Sequence, residues 1–102
     1  MVNLKELQKS IYDHKVKQGF NTTDVELELL RIHGEVTETF EAWHKGKNDL
    51  DEELADVAIY LLGLAEILHI DLGKAIENKM AKNAKRKYEI VNGVARRIKD
   101  AE

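Results

Sequence analysis

Two pairs of acidic residues stand at helical spacing near the middle of the chain. Glu35 with Glu38 and Glu53 with Asp56 are each separated by three positions. Residues at that spacing share one helix face, so each pair presents its carboxylates side by side. If the two helices run antiparallel about a turn near Lys47, the four carboxylates converge. Converging carboxylates repel unless cations neutralise them, and hard divalent ions, Mg²⁺ first and Mn²⁺ second, meet that need.

Each acidic residue also has a purely structural interpretation. Glu53 falls in a predicted first helical turn, where the helix macrodipole favours acids. Glu35 and Glu38 would be solvated if their helix face were exposed. Asp56 fits a surface position less well, because its neighbours in the segment 55–59 are apolar.

A second metal hypothesis comes from two Glu-x-x-His pairs, Glu41 with His44 and Glu66 with His69. This spacing occurs in di-iron carboxylate bundles. In antiparallel helices the two pairs would lie about 18 Å apart along the axis, which excludes a shared centre within one chain. We therefore interpret His44 and His69 as residues of helix ends.

Basic residues follow the acidic pairs. Lys79, Asn83 and Arg86 fall on one sector of a predicted fourth helix, where they could hold phosphate oxygens. The alternative is a solvated basic face, since this segment carries further lysines. Carboxylates that bind Mg²⁺, combined with Lys and Arg that bind phosphate, favour phosphoryl or nucleotidyl chemistry.

The apolar periodicity predicts an all-α protein: an antiparallel four-helix bundle-like domain over residues 1–102. The predicted helices span about 3–18, 23–45, 49–69 and 71–90, and a break at Asn92-Gly93 precedes a short basic tail, 94–102. Between Leu54 and Leu68 the charged residues are Asp56 and Glu66, so the third helix should be buried on every side.

A bundle of this size cannot easily bury one helix completely. We therefore expect a homodimer or homotetramer, a dimer of dimers, with the second and third helices partly between subunits; a tight monomer is the alternative. Trp43 shares an apolar stripe with Ile32 and Val36, which favours core packing over stacking on a base.

Composition narrows the class of protein. The 102 residues include no cysteine, which excludes disulfides, zinc–thiolate sites and cysteine nucleophiles. The net charge is +2 over residues 1–20, −9 over 21–70 and +4 over 71–102, and the acidic middle disfavours nucleic-acid binding. No signal-peptide pattern and no apolar run long enough for a membrane span are present, so we expect a cytoplasmic protein without a membrane partner.

The ordered motifs resemble the MazG-like branch of the all-α NTP pyrophosphatases over roughly residues 8–88. They are Glu35-x-x-Glu38, Glu53-x-x-Asp56, Ile70-Asp71-Leu72 and Lys79-x-x-x-Asn83-x-x-Arg86. The resemblance implies that the four acids ligate Mg²⁺ and that the basic trio contacts a triphosphate. It also implies that Tyr60 lies near the nucleotide and that Lys17 and Phe20 close over it. Many members have a Glu where this chain has Gly34, which leaves the number of metal ions open.

This resemblance implies a Mg²⁺-dependent hydrolase that cleaves a nucleoside triphosphate between the α and β phosphates. Water activated by the metal would attack the α phosphorus, with Glu38 or Glu35 as the general base. Two other classes of function stay open. One is a non-catalytic regulatory module that binds nucleotide and metal, and the other is an interaction protein whose acids are surface residues.

Overall fold

The computed structural model describes residues 2–98, and its backbone forms two compact units, Met1–Leu72 and Gly73–Glu102. The elements, in chain order, are α1 (Leu4–Gln18), α2 (Val25–His44), α3 (Leu50–Ile67), α4 (Leu72–Ala84), β1 (Lys87–Val91) and β2 (Val94–Ile98). The prediction of four helices is confirmed, and the first three have nearly the predicted bounds. The assignment of the whole chain to one domain stays a prediction.

Local side-chain chemistry sets the ends of the first two helices. Asn3 Oδ1 accepts a hydrogen bond from the Glu6 backbone N–H at 3.1 Å, and Asp24 Oδ1 accepts one from the Leu27 N–H at 3.0 Å. These bonds satisfy backbone donors that have no partner inside the helix. Gly19 ends α1 in the left-handed conformation, with φ 74°.

The core of the first unit lies along α3, which packs against both α1 and α2. Leu62, Leu64 and Ala65 of α3 and Ala42 of α2 are buried. Gly63 allows α1 to approach closely, because a Cβ at this position would lie 3.3 Å from both Ile11 Cγ2 and Lys15 Cδ.

The expectation that α3 is buried on every side is wrong for the single chain. Leu54 is 56% exposed and Ile59 is 46% exposed, because α3 has neighbours on two sides only among the described helices of this unit. Trp43 on α2 is 67% exposed, so the core packing expected for it is not found within one chain. The predicted homo-oligomer stays a prediction.

The C-terminal part of the chain corrects the all-α prediction. The fourth helix ends at Ala84 instead of near residue 90, and the expected tail forms β2, paired antiparallel with β1. Asn92 and Gly93 have φ values of 53° and 77°, and Val91 pairs directly with Val94. Two central residues with positive φ match the right-handed twist of a hairpin. The end of the predicted tail, 99–102, lies outside the described residues.

No helix within residues 2–98 combines the length and the apolar character needed to cross a membrane.

Candidate functional site

Three of the four predicted metal ligands come together between α2 and α3. Glu35, Glu38 and Glu53 each offer a carboxylate oxygen, and these oxygens all lie within 4.8 Å of one another. The antiparallel packing of α2 and α3 produces this juxtaposition, as the register about the α2–α3 turn predicts. Asp56 is exposed and lies near enough for its charge to raise the pKa of both Glu35 and Glu53.

Two oxygens of this cluster are buried without a partner. Glu35 Oε2 and Glu53 Oε2 are inaccessible to solvent and have no hydrogen-bond partner in the described part of the chain. A buried acceptor without a donor carries an uncompensated desolvation cost. A cation would compensate it, and carboxylate oxygens are the donors that hard divalent ions prefer, so these residues fit Mg²⁺ or Mn²⁺.

Electrostatics agree with that interpretation. Desolvation by burial is the main cause that raises the pKa of Glu35, followed by the negative charges of Glu38 and Asp56. Desolvation also raises the pKa of Glu53, followed by the charges of Asp49 and Glu38. Both shifts disfavour the ionised carboxylates, and a bound cation would reverse the effect of the surrounding negative charge.

Thr39 connects the two acidic helices and was not anticipated from the sequence. Its Oγ1 lies 2.8 Å from the backbone oxygen of Glu35 and 3.3 Å from that of Glu53. One hydroxyl proton is therefore shared between a carbonyl of its own helix and a carbonyl of α3. The signal was present in the spacing, since Thr39 lies four residues after Glu35 and so on the same helix face.

A cavity of about 550 Å³ is lined by residues of α1, α2 and α3 and by Phe20. Phe20 and Tyr60 supply aromatic walls, and the nearness of these two residues to a nucleotide, which the family resemblance implies, stays a prediction. Tyr60 lies one helical turn after Asp56 on α3, and Arg31, which also lines the cavity, lies one turn before Glu35 on α2. Lys17 is exposed on the last turn of α1 and is not among the lining residues of the described chain, so its contact with a ligand stays a prediction.

A buried ion pair, of which Lys15 lines the cavity, was missed by sequence reasoning. Lys15 Nζ lies 2.6 Å from Glu28 Oε1, and the Glu28 side chain is completely buried. Asn21 Nδ2 donates to Glu28 Oε2 at 3.1 Å. Charged residues are rarely buried unless they are paired, so solvent exposure is the usual expectation for both. The available signal was that Glu28 lies seven residues before Glu35, on the same face of α2.

The predicted phosphate-binding residues belong to the second unit. Lys79 and Asn83 are exposed on α4. Arg86 lies in the link between α4 and β1 instead of on the helix, so the prediction that the three share one helical sector is wrong. The helix ends before Arg86 because the following residues pair in the hairpin. The contact of these three residues with phosphate stays a prediction.

The residues of the rejected di-iron hypothesis lie at helix ends or in other contacts. His44 is the last residue of α2, and His69 follows α3 with φ 58°. Glu66 Oε1 accepts a hydrogen bond from Gln8 Nε2 at 3.0 Å. The helix-end interpretation of both histidines is therefore confirmed.

Comparisons with known proteins agree with the geometry. The model of the MazG-like family matches residues 23–100. Rat dCTP pyrophosphatase 1 is 41% identical over an alignment of 71 residues, and the match covers 59% of this chain and 42% of that protein. The chain thus spans less than half the length of this curated relative.

A solved structure extends the similarity to almost the whole chain. It is a cyanophage S-2L MazG-like pyrophosphohydrolase bound to dGDP and three catalytic Mn²⁺ ions per active site. That structure has 25% sequence identity and a TM-score of 0.79, and the match covers 98% of this chain and 97% of the other. The family model covers well over half of the sequence and agrees with both relatives, so this chain belongs to the MazG-like family.

Proposed function

We propose that the protein is a nucleotide pyrophosphohydrolase that converts a nucleoside or deoxynucleoside triphosphate and water into the monophosphate and pyrophosphate. One observation carries this proposal: three carboxylate oxygens from α2 and α3 lie within 4.8 Å of one another, on the two helices that also contribute residues to an aromatic-lined cavity. The names of the relatives, a dCTP pyrophosphatase and a pyrophosphohydrolase with dGDP and Mn²⁺, support the same chemistry.

The metal assignment follows from the acidic cluster. Glu35, Glu38, Glu53 and Asp56 would hold the divalent ions, with Mg²⁺ as the natural cofactor and Mn²⁺ as a substitute. Ions bound there would neutralise the charge of the phosphates and lower the pKa of bound water.

Other steps of the proposed reaction are assigned to side chains of this protein. Glu38, the exposed member of the oxygen cluster, accepts the proton of the attacking water, with Glu35 as the other candidate base. The water oxygen bonds to the α phosphorus as the bond from that phosphorus to the bridging oxygen breaks, and pyrophosphate leaves. Lys79, Asn83 and Arg86 bind phosphate oxygens, so their donors stabilise charge on the leaving group.

We assign the nucleobase of the substrate to the cavity lined by Phe20 and Tyr60. Phe20 and Tyr60 offer apolar ring surface for stacking, and the rings of Phe20 and His14 contact each other edge to face at 6.0 Å. The apolar surface left exposed on α2 and α3 supports a homodimer or homotetramer as the working assembly.

The test is a panel of ribo- and deoxynucleoside triphosphates assayed with Mg²⁺, with Mn²⁺ and with a chelator. Pyrophosphate should be released without orthophosphate, and the chelator should abolish release. Asp56→Asn and Glu38→Gln should each lower kcat/KM by on the order of 100-fold or more. Glu52→Gln, a change of the same kind on the first turn of α3, is the matched control and should retain activity.

Two outcomes would contradict the proposal. Release of orthophosphate would mean cleavage at the γ phosphate instead. Metal-dependent nucleotide binding without any product would identify the non-catalytic regulatory module.

A further inference from the structure

Lys15 is one of the residues that line the cavity, and its ammonium group is a hydrogen-bond donor. Within residues 2–98 it makes one hydrogen bond, to Glu28 Oε1 at 2.6 Å. A lysine ammonium has three donors and no acceptor, so donor capacity is left for a ligand. The Lys15 nitrogen also lies 5.9 Å from the centre of the Tyr60 ring, which places it beside one of the aromatic walls.

Glu28 positions the Lys15 ammonium, and its own carboxylate is not exposed to a ligand in the cavity. Its Oε1 accepts from Lys15, its Oε2 accepts from Asn21, and Arg31 Nη1 lies 3.9 Å from Oε2. The carboxylate is completely buried, whereas Lys15 and Arg31 both line the cavity. Near this ion pair the cavity wall therefore presents positively charged donors.

The position of the donor fits a nucleobase. Tyr60 lies one turn from Asp56 on α3, and Arg31 lies one turn before Glu35 on α2. A nucleotide whose phosphates reach the carboxylate cluster can therefore place its base between the aromatic walls, with one edge toward Lys15. A carbonyl oxygen on that edge would accept from the ammonium, whereas an amino group there would place donor against donor.

We propose that Lys15, fixed by the buried carboxylate of Glu28, selects nucleotides whose base carries an oxo group at the edge that enters the cavity. This inference rests on the proposed function for its substrate, and it adds a specificity-determining residue and a chemical class of base. Hydrogen bonds to charged groups are the stronger ones, so the discrimination expected is on the order of 10- to 100-fold.

Two matched pairs of nucleotides test this selectivity in the unaltered protein. dITP and dATP differ at the 6 position, oxo against amino, and dCTP and 2-thio-dCTP differ at the 2 position, oxygen against the poorer acceptor sulfur. In at least one pair the oxo compound should have a kcat/KM at least about 10-fold higher. Equal values within both pairs, or a preference for the compound without the oxo group, would overturn the proposal.

A double variant then assigns the selectivity to the ion pair. Lys15→Met alone would leave the Glu28 carboxylate buried without its cation and could unfold the protein. Lys15→Met combined with Glu28→Gln removes both charges at similar volume, and circular dichroism checks the fold. The preference should fall to within about 3-fold, because the loss of the donor removes the advantage of the oxo compound. Lys9→Met, an exposed change on the same helix, is the matched control and should keep the preference.

Binding of monophosphates separates this proposal from the proposed function. The dissociation constants of dIMP against dAMP, and of dCMP against its 2-thio analogue, report base recognition without turnover. A preference that the double variant abolishes supports the role of Lys15 even if no triphosphate is hydrolysed, in which case only the proposed function fails. A preference that survives in the folded double variant would overturn the role of Lys15 while leaving hydrolysis intact.

Discussion

Gly63 of α3 and Lys15 of α1 face each other so closely that a Cβ at Gly63 would lie 3.3 Å from Lys15 Cδ. Such a contact would be tighter than ordinary van der Waals packing, and it would involve the stem of the side chain whose ammonium pairs with Glu28. Because Gly63 has no side chain, the stem of Lys15 can pack against α3 at this point, and this packing helps to position the Lys15 ammonium.

Substitutions of Gly63 should distinguish the effect of helix propensity on stability from the effect of packing against α1. Gly63→Ala gains about 1 kcal/mol of helix propensity but displaces Lys15 or Ile11 by a few tenths of an ångström, so the net change in stability should stay within about 1 kcal/mol. Gly63→Leu should destabilise by about 1–3 kcal/mol through overpacking, although Leu is a good helix former. Urea denaturation measures both. A Leu variant as stable as the unaltered protein would show that the helices separate easily here.

Thr39 should contribute to stability because its hydroxyl reaches across to α3. Thr39→Val keeps the shape but removes the donor shared by the Glu35 and Glu53 carbonyls, and we expect a loss of about 1 kcal/mol in the free energy of unfolding. Thr37 is the matched control, because its Oγ1 bonds only to the His33 carbonyl of its own helix. Thr37→Val should change stability by less than about 0.5 kcal/mol. If Thr39→Val and Thr37→Val change the free energy of unfolding equally, the hydrogen bond from Thr39 to α3 does not contribute to stability.

The raised pKa of Glu35 predicts how stability depends on pH without metal. The pKa of Glu35 in the folded chain lies above its ordinary value of 4.5. At pH values between these two pKa values, the folded chain therefore binds more protons than the unfolded chain. The contribution of Glu35 to stability is therefore present at low pH and is lost as pH rises through its folded pKa. Glu35→Gln should become progressively more stable than the unaltered protein from pH 4 to neutrality.

Urea denaturation in a chelating buffer, repeated with saturating Mg²⁺, checks this prediction. Added Mg²⁺ should reverse the trend, because the ion binds the ionised carboxylates and stabilises the folded state. Glu41→Gln, which lies outside the oxygen cluster on the same helix, is the control and should follow the unaltered protein. A constant difference between Glu35→Gln and the unaltered protein at every pH would contradict the assigned electrostatics.

The hairpin should depend on its two turn residues. Gly93→Val places a β-branched side chain at φ 77°, which costs on the order of 1–3 kcal/mol and exceeds what a two-stranded hairpin can sustain alone. We expect loss of amide protection across 87–98 in hydrogen exchange, with the amides of α2 unaffected. Protection retained in the variant would mean that contacts other than the turn hold β1 against β2.

Much of the candidate site followed from sequence because it depends on local periodicity. Glu35 and Glu38 share a face through helical spacing alone, and a short turn places Glu53 beside them once α2 and α3 pair. The hairpin was missed because Asn92-Gly93 was interpreted as a helix break, although this dipeptide between apolar strands is a strong signal for a two-residue turn.

The ion pair could not be predicted because burial depends on tertiary packing. The polarity of Lys15 and Glu28 predicts exposure, whereas both are buried in the folded chain, where the stem of Lys15 packs close to Gly63 of α3. Trp43 is the opposite case, because it was expected to be buried and is exposed in the single chain. An apolar stripe indicates that a helix face is buried, but it does not indicate whether the same chain or another one buries it. Periodicity determines which side chains share a face, whereas the neighbours of that face determine their burial.

The bond between Lys15 and Glu28 has a consequence for the order of folding. It joins residues separated by 13 positions, whereas the Gln8–Glu66 bond that ties α1 to the end of α3 joins residues separated by 58. The entropy lost on closing a loop grows with its length, so the shorter connection is the cheaper one to form early. The α1–α2 connection is therefore the one that chain entropy favours first, whereas α3, which packs against both α1 and α2, supplies the contacts that hold the two helices.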